Sequence, residues 1–261
     1  MQIALNIIPS VLRDDYLSAI SKGVRQAFDA LRDAELSTPD FSFYTSVASV
    51  FSSKIEGDPI ELDSYIKHRR DGIAFQPDYT KKTDDLYGAY LFAQSNSLSE
   101  KNVKRVHQLL SQHIVSTAWQ GVYRQQNMYV ITDDGRIEYV AAEPAIVEQE
   151  MAKFYEDIFI LLKTPLSIEE VFFYASWIHL VFVKIHPWND GNGRSARLIE
   201  KWFLAEHLGS KAWFIQSEKK YYQEHQNYYQ NIRRLGLEYG ELDYKQALPF
   251  LLMLPAAVVN Y

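Results

Sequence analysis

Cysteine is absent from all 261 residues. That excludes disulfide staples, thiol catalysis and thiolate metal sites together, and it fits a reducing compartment. Basic residues are also in short supply. Lys and Arg number 27 against 33 Asp and Glu, which leaves a net charge of −6 and a pI near 5.7. That balance argues against a nonspecific binder of nucleic acid or anionic membrane, since both need clustered cations; a local basic cleft stays compatible with it. No uninterrupted apolar run is long enough to span a bilayer, and residues 1–6 lack the positive segment and long apolar stretch of a signal peptide. The expected location is cytoplasmic, without a membrane partner.

What is present is core material. Hydrophobic residues make 47% of the chain and aromatic ones 14%, with 18 tyrosines, enough to bury one large core or two smaller ones; most of these rings should pack rather than recognise. In residues 10–36, Leu12, Tyr16, Ile20, Val24, Phe28 and Leu31 recur at helical spacing, and Phe43, Val47, Val50, Phe51 and Ile55 repeat the pattern in residues 41–55. Gly57 and Asp58-Pro59 stop that second helix. Its end places Ser52 and Glu56 four apart on one face, with the carboxylate in the last turn, where the helix dipole disfavours an anion. Glu56 is then either an exposed residue tolerated there or one offset by a cation from elsewhere.

The next stretch predicts a short helix around Leu62, Tyr65 and Ile66, a solvated turn over His68-Arg69-Arg70-Asp71, and an apolar helix over residues 86–92. Ser99 can cap a helix striped by Val103, Val106, Leu109, Leu110 and Ile114. His107 and His113 are six apart, poor spacing for a shared metal, and read as satisfied or exposed histidines. Residues 128–131 and 137–140 then switch to β-rich runs around Asp134-Gly135, a strong hairpin signal. Such a hairpin must lie on a helical body; it is either a surface decoration or an edge for an extended peptide. Residues 148–162 return to helical spacing. Ser167 and Glu170 form a capping box that opens a long apolar helix through Ile185, the expected centre of the core, with His179 a core histidine. Beyond it, residues 218–229 and 244–259 predict two further helices.

The richest chemistry follows at residues 186–197, His-Pro-Trp-Asn-Asp-Gly-Asn-Gly-Arg-Ser-Ala-Arg. Pro187 ends the apolar helix, Gly191 and Gly193 let backbone approach a ligand, and a new helix starts near Arg194. A glycine-rich turn feeding a helix N-terminus aims free N–H groups and the positive dipole end at one spot, which suits phosphate. Arg194 and Arg197, three apart, share a face and can clamp it. Two rival motifs fit less well. Gly191 to Ala196 matches the dinucleotide fingerprint, but a helix is predicted where that motif needs its strand; Gly193-Arg194-Ser195 lacks the lysine of a P-loop. A plain surface turn explains the glycines but not the histidine, the acid and both arginines together.

These residues closely resemble the signature of Fic domains, H-P-F-x-D/E-G-N-G-R-x-x-R, whose members typically transfer AMP from ATP to protein hydroxyls. A chance match at seven fixed positions is rarer than about one in ten thousand. The one departure is Trp188 for Phe, at a position that packs into the core. Ser52 to Gly57 is similar to the inhibitory motif S/T-x-x-x-E-G/N of the subgroup with an N-terminal inhibitory helix, and residues 121–151 are similar to the family's flap hairpin. With the Tyr228-Tyr229 pair, the resemblance covers most of residues 45–235.

The resemblance implies a mainly α fold, a Fic-like helical bundle with a small β-hairpin flap over the active site. It divides the chain into an N-terminal helical region (1–96) with the inhibitory helix at about 41–56, a catalytic core (97–236), and a C-terminal helix packing on it (237–261). His186 would be the general base, Asp190 the Mg²⁺ ligand, and Gly191, Asn192, Gly193, Arg194 and Arg197 the nucleotide-phosphate site, with Tyr228 or Tyr229 bordering the adenine. Ser52 and Glu56 would be inhibitory, Glu56 pairing with Arg197 where the γ-phosphate should sit. The implied function is a self-inhibited protein adenylyltransferase using ATP and Mg²⁺. Its target would be a Ser, Thr or Tyr hydroxyl on another protein or on itself, with pyrophosphate released. Two alternatives stay open: a phosphodiesterase that removes AMP with the help of Glu56, and a nonenzymatic nucleotide-binding module, which would not need His186. No DNA-binding extension and no nucleic-acid partner are expected, and self-association is left open.

Overall fold

The computed structural model describes residues 3–20, 23–131 and 137–259. In chain order they form α1 (Arg13–Ala19), α2 (Val24–Ala30), α3 (Phe43–Ile55), α4 (Leu62–Asp71), α5 (Pro77–Gln94), α6 (Glu100–Leu110), β1 (Tyr129–Ile131), β2 (Ile137–Val140), α7 (Pro144–Lys163), α8 (Ile168–Ile185), α9 (Asn192–Leu208), α10 (Ser217–Gln223), α11 (His225–Arg233), α12 (Leu248–Leu251) and α13 (Met253–Val259). The fold is mainly α with one antiparallel hairpin. Among the described residues no helix is long and apolar enough to cross a membrane.

The centre is α8. Its capping box is formed: Ser167 Oγ accepts the Glu170 N–H, and Glu170 returns a bond to the Ser167 N–H at 2.8 Å. Every side chain from Val171 to Ile185 is buried, so the helix has no solvent face there and is apolar on nearly all sides, with Ser176, His179 and Lys184 the polar exceptions. Around it pack α1, α7, α9 and α12. One cluster of buried apolar residues runs from Ile8 to Val258, so N- and C-terminal regions share a core with the middle of the chain.

Several elements differ from the periodicity. The stretch predicted as one helix over residues 10–36 is two, α1 and α2. Ile20 is extended, yet Tyr16, Ile20, Val24 and Phe28 stay buried. Two short helices meet the same apolar spacing, and a glycine at the junction, Gly23, makes continuous helix less favourable there. The predicted solvated turn at His68–Asp71 is instead the last turn of α4. Its basic residues suit the negative end of the helix dipole, Arg69 lies over the Tyr87 ring, and Gly72 at φ 69° terminates it. The last predicted helix is broken into α12 and α13. Pro255 has no N–H for the Leu251 carbonyl, which accepts the Ser176 hydroxyl instead at 3.2 Å. Residues 218–229 likewise divide into α10 and α11, and α6 stops before Ile114.

The hairpin is as expected in its strands, with Tyr129 opposite Val140 and Val130 opposite Tyr139; its Asp134-Gly135 turn lies outside the described residues. β2 is the anchored strand. The Val140 N–H donates to Leu237 O at 2.8 Å and Glu138 pairs with Arg233 of α11. β1 carries the exposed Tyr129 and Ile131.

Candidate active site

Pro187 shapes the end of α8. Lacking an N–H, it leaves the Val183 carbonyl without its helical partner, and the chain turns through His186, which adopts a left-handed conformation at φ 55°. That unusual backbone brings His186 Nδ1 to 3.3 Å from Val183 O and 3.1 Å from the Tyr139 hydroxyl. Burial pushes the imidazole down to about 4; the Val183 carbonyl works upward and the nearby Arg124 charge downward. The ring is therefore neutral at physiological pH, the state a general base requires.

The loop after it is braced from both sides. Trp188 is fully buried, stacked on His107 at 4.3 Å and on Tyr123 at 5.0 Å. His107 accepts the Gly121 N–H at Nδ1 (2.7 Å), so its Nε2 carries the proton donated to Asp190 O at 3.0 Å. Arg124, buried completely, donates to the carbonyls of His186 (2.6 Å), Gln126 (2.7 Å), Ile185 (3.2 Å) and Ala142, tying the end of α8 to the flap. Asn192 locks the turn internally: its Oδ1 accepts the Trp188 N–H at 2.8 Å and its Nδ2 donates to Trp188 O at 2.9 Å. Gly191, at φ 81°, adopts a backbone conformation that strains any side chain, and an added Cβ would lie 3.0 Å from Leu110 Cδ1, so the leucine would have to shift.

At the N-terminus of α9 the anion site is already filled. Glu56, the C-cap of α3, sends Oε1 to Arg197 Nη2 at 2.6 Å, and its carboxylate lies directly over Gly193, where an added Cβ would collide with it. Ser52 completes the grip, accepting Arg197 Nε at its hydroxyl (2.9 Å) and Nη2 at its carbonyl (3.1 Å). Burial works to raise the Glu56 carboxyl, but the charges of Arg197 and then Arg194 outweigh it and hold it below the usual carboxylate value. The cost of an anion at the end of α3 is thus offset by a guanidinium and by the positive end of α9. A second carboxylate acts beside it: Asp58 Oδ2 pairs with Arg194 Nη2 at 2.7 Å.

Of the tyrosine pair, Tyr228 is 1% exposed. Its hydroxyl lies 3.4 Å from Arg197 Nη1 and 2.9 Å from His179 Nε2, whose Nδ1 meets the buried Glu200 at 2.6 Å. Tyr228 therefore belongs to a polar chain inside the core, behind the arginine. Tyr229 instead lines a cleft of 460 Å³ beside Glu56, together with Val130, Ile131, Glu138 and His225. Asp190 is exposed, and one of its oxygens accepts the Gly191 N–H at 2.5 Å. Among the described residues no three His, Cys, Asp or Glu side chains cluster as a metal cage. A hard cation held by Asp190 would have to complete its shell with phosphate oxygens and water, the arrangement Mg²⁺ favours.

Sequence reasoning missed Asp58, Arg124 and Tyr139; it read His107 as satisfied or exposed, which the structure bears out in its two ring hydrogen bonds, but not as a brace of the loop. The flanking Gly57 is the only local signal that could have drawn attention to Asp58. Arg124, Tyr139 and His107 act on backbone groups of distant segments.

The fold and the loop define a helical protein in which a glycine-rich turn leads into a helix whose two arginines are paired with Glu56 and Asp58. Residues 97–204 match the model of the Fic/DOC family. No curated protein matches the chain. Solved structures share the fold. A Fic family protein from Desulfovibrio desulfuricans has a TM-score of 0.71 at 18% identity, over 100% of this chain and 76% of that one. A Fic domain containing signaling protein from Bacteroides thetaiotaomicron gives 0.67 at 16%, over 95% and 91%. Fic-1 from C. elegans gives 0.65 at 14%, over 96% and 72%. The match to the Fic/DOC model supports, by general kind, a protein-modifying enzyme.

Proposed function

We propose that the protein is a self-inhibited protein adenylyltransferase of the subgroup whose inhibitory helix precedes the core, here α3. The observation that carries the reading is Glu56 seated over Gly193 and bonded to Arg197 at 2.6 Å. An acid at that place competes with a nucleotide phosphate for the same arginine and the same helix N-terminus. A neutral His186 stands at the other end of the loop, and a pure binding module has no use for it.

In the transfer, a target hydroxyl oxygen bonds to the α-phosphorus of ATP as the bond to the β-phosphate oxygen breaks. The hydroxyl proton goes to His186 Nε2, and pyrophosphate leaves. A positioned base of this kind contributes roughly 10²–10⁴-fold. Backbone N–H groups around Gly191 and Gly193 stabilise charge on the α-phosphate, and the second amide hydrogen of Asn192 can add to them. Arg194 and Arg197, once released by Asp58 and Glu56, hold the outer phosphates. Asp190 would hold Mg²⁺, which would supply positive charge against the phosphates. Tyr229 and the cleft it lines receive the adenine, and β1 offers its edge to the target segment.

Incubation with labelled ATP and Mg²⁺ tests the reading. Glu56→Gly should label itself more strongly than wild type, and adding His186→Ala should abolish the gain. Equal labelling of all three proteins would sink the transferase mechanism. If wild type strips AMP from a modified substrate and Glu56→Gly cannot, the enzyme is a phosphodiesterase in which Glu56 acts productively.

A further inference from the structure

A histidine that serves as a base at one ring nitrogen must carry its proton on the other, and something must decide which is which. In His186 the decision falls to the groups around Nδ1. Val183 O is available because Pro187, four residues on, cannot donate to it. It lies 3.3 Å from Nδ1, at the long end for a hydrogen bond, and 2.9 Å from the Tyr139 hydroxyl. Between a carbonyl oxygen and a phenol only the phenol has a proton to give, so Tyr139 donates to Val183. What it then presents to Nδ1, 3.1 Å away, is a lone pair. Both neighbours of Nδ1 are acceptors, and the nitrogen between them must be the one that is protonated.

The tyrosine is held for this task. It belongs to β2, which is pinned by the Val140 N–H on Leu237 O, by the Ala141 N–H on Met128 O and by the Glu138–Arg233 pair. Its ring is 4% exposed, with the Lys184 ammonium 4.3 Å from its centroid, and Lys184 itself donates to Gly236 O at 3.2 Å. Burial drives the phenol well above its ordinary value, so the proton that it gives to Val183 is never lost.

We propose that Tyr139 is a positioning residue for the base. Its hydroxyl, anchored on the Val183 carbonyl, fixes His186 as the Nδ1–H tautomer and leaves Nε2 free to take the proton of the target hydroxyl. The role in turnover rests on the adenylyltransferase reading; the tautomer does not. Placing this residue on the flap makes the hairpin part of the base's support as well as a ledge for the target.

The test has two readouts. Nitrogen-15 NMR of the histidine rings near neutral pH should show His186 with Nδ1 protonated and Nε2 bare, the resonance being assigned by its loss in His186→Ala. In Tyr139→Phe the single long bond to Val183 remains, and both ring nitrogens should move toward intermediate shifts as the tautomers mix. Self-labelling of Glu56→Gly against Glu56→Gly/Tyr139→Phe should show kcat lowered roughly tenfold, the order expected for one lost hydrogen bond, with KM for ATP unchanged. A wild-type His186 carrying its proton on Nε2 overturns the proposal without any variant. So does a Tyr139→Phe protein with the parent's ring shifts and the parent's kcat. Absence of labelling in Glu56→Gly would instead overturn the transferase reading, and the NMR result would still decide whether Tyr139 sets the tautomer.

Discussion

Asp58 Oδ2 bonds Arg194 Nη2 at 2.7 Å, two residues beyond the point where Glu56 holds Arg197 at 2.6 Å. Gly57, at φ 87°, turns the chain between them so that the two acids reach different arginines of one helix face. Arg194 is 4% exposed and its Nε has no partner among the described residues, while the other Asp58 oxygen is shared with Lys82 at 3.1 Å. Both arginines proposed to hold the outer phosphates are thus occupied from the same short segment.

Removing one acid should therefore open the site only in part. Calorimetry with ATP and Mg²⁺ is expected to show Asp58→Asn binding about three- to tenfold more tightly than wild type, the range for a partly buried pair worth about 1 kcal/mol. Glu56→Gly/Asp58→Asn should bind more tightly than Glu56→Gly. A double variant no tighter than Glu56→Gly would show that Asp58 does not obstruct the nucleotide.

His107 makes the loop sensitive to acid. Burial pushes its ring from the ordinary 6.5 down to about 4, so the folded protein holds it neutral while the unfolded chain takes up a proton. The resulting stability is complete above pH 6.5 and is lost as pH falls toward 4, amounting to about 3 kcal/mol. Urea unfolding at neutral pH and near pH 4 should show a smaller acid loss for His107→Gln than for wild type. His186, depressed in the same direction, keeps part of the loss in the variant. Identical pH dependence in the two proteins would mean that His107 is not held neutral.

How much of this could be read beforehand follows from where each interaction is made. The residues from His186 to Arg197 announce themselves because their chemistry is contiguous, and Ser52 with Glu56 because four residues make one helix face. The centre of the core was readable from the capping box and the apolar run of α8. Arg124, His107 and Tyr139 were not, since each bonds backbone carbonyls or a ring from a segment tens of residues away, and no local spacing encodes that. Tyr228 misled for the opposite reason. It sits beside Tyr229 in sequence, but on a helix successive residues point about 100° apart, and only Tyr229 reaches the cleft.

That difference should separate the two tyrosines in kinetics. Tyr229→Ala in the Glu56→Gly protein should raise KM for ATP about tenfold with a smaller change in kcat, as expected for a group that binds substrate and transition state alike. Tyr228→Phe should leave KM close to the parent value and lower the unfolding free energy by about 1 kcal/mol, because the His179 and Arg197 bonds to its hydroxyl disappear. Equal effects of the two changes on KM would put Tyr228 in the cleft as well.

The seat of Glu56 can be probed without any nucleotide. A methyl group at Gly193 would collide with the Glu56 carboxylate and lie 3.1 Å from Arg197 Nη1, both ends of side chains that can move aside only by giving up their pair. In wild type, Gly193→Ala should therefore destabilise the fold by about 1–2 kcal/mol through loss of that pair. With Glu56→Gly the carboxylate is gone, and the helical position then favours alanine over glycine by up to about 1 kcal/mol. The same substitution should thus change sign between backgrounds in a double-mutant cycle of urea unfolding. Additive effects would mean that Glu56 does not rest over Gly193 in solution, and the proposed self-inhibition would lose its structural basis.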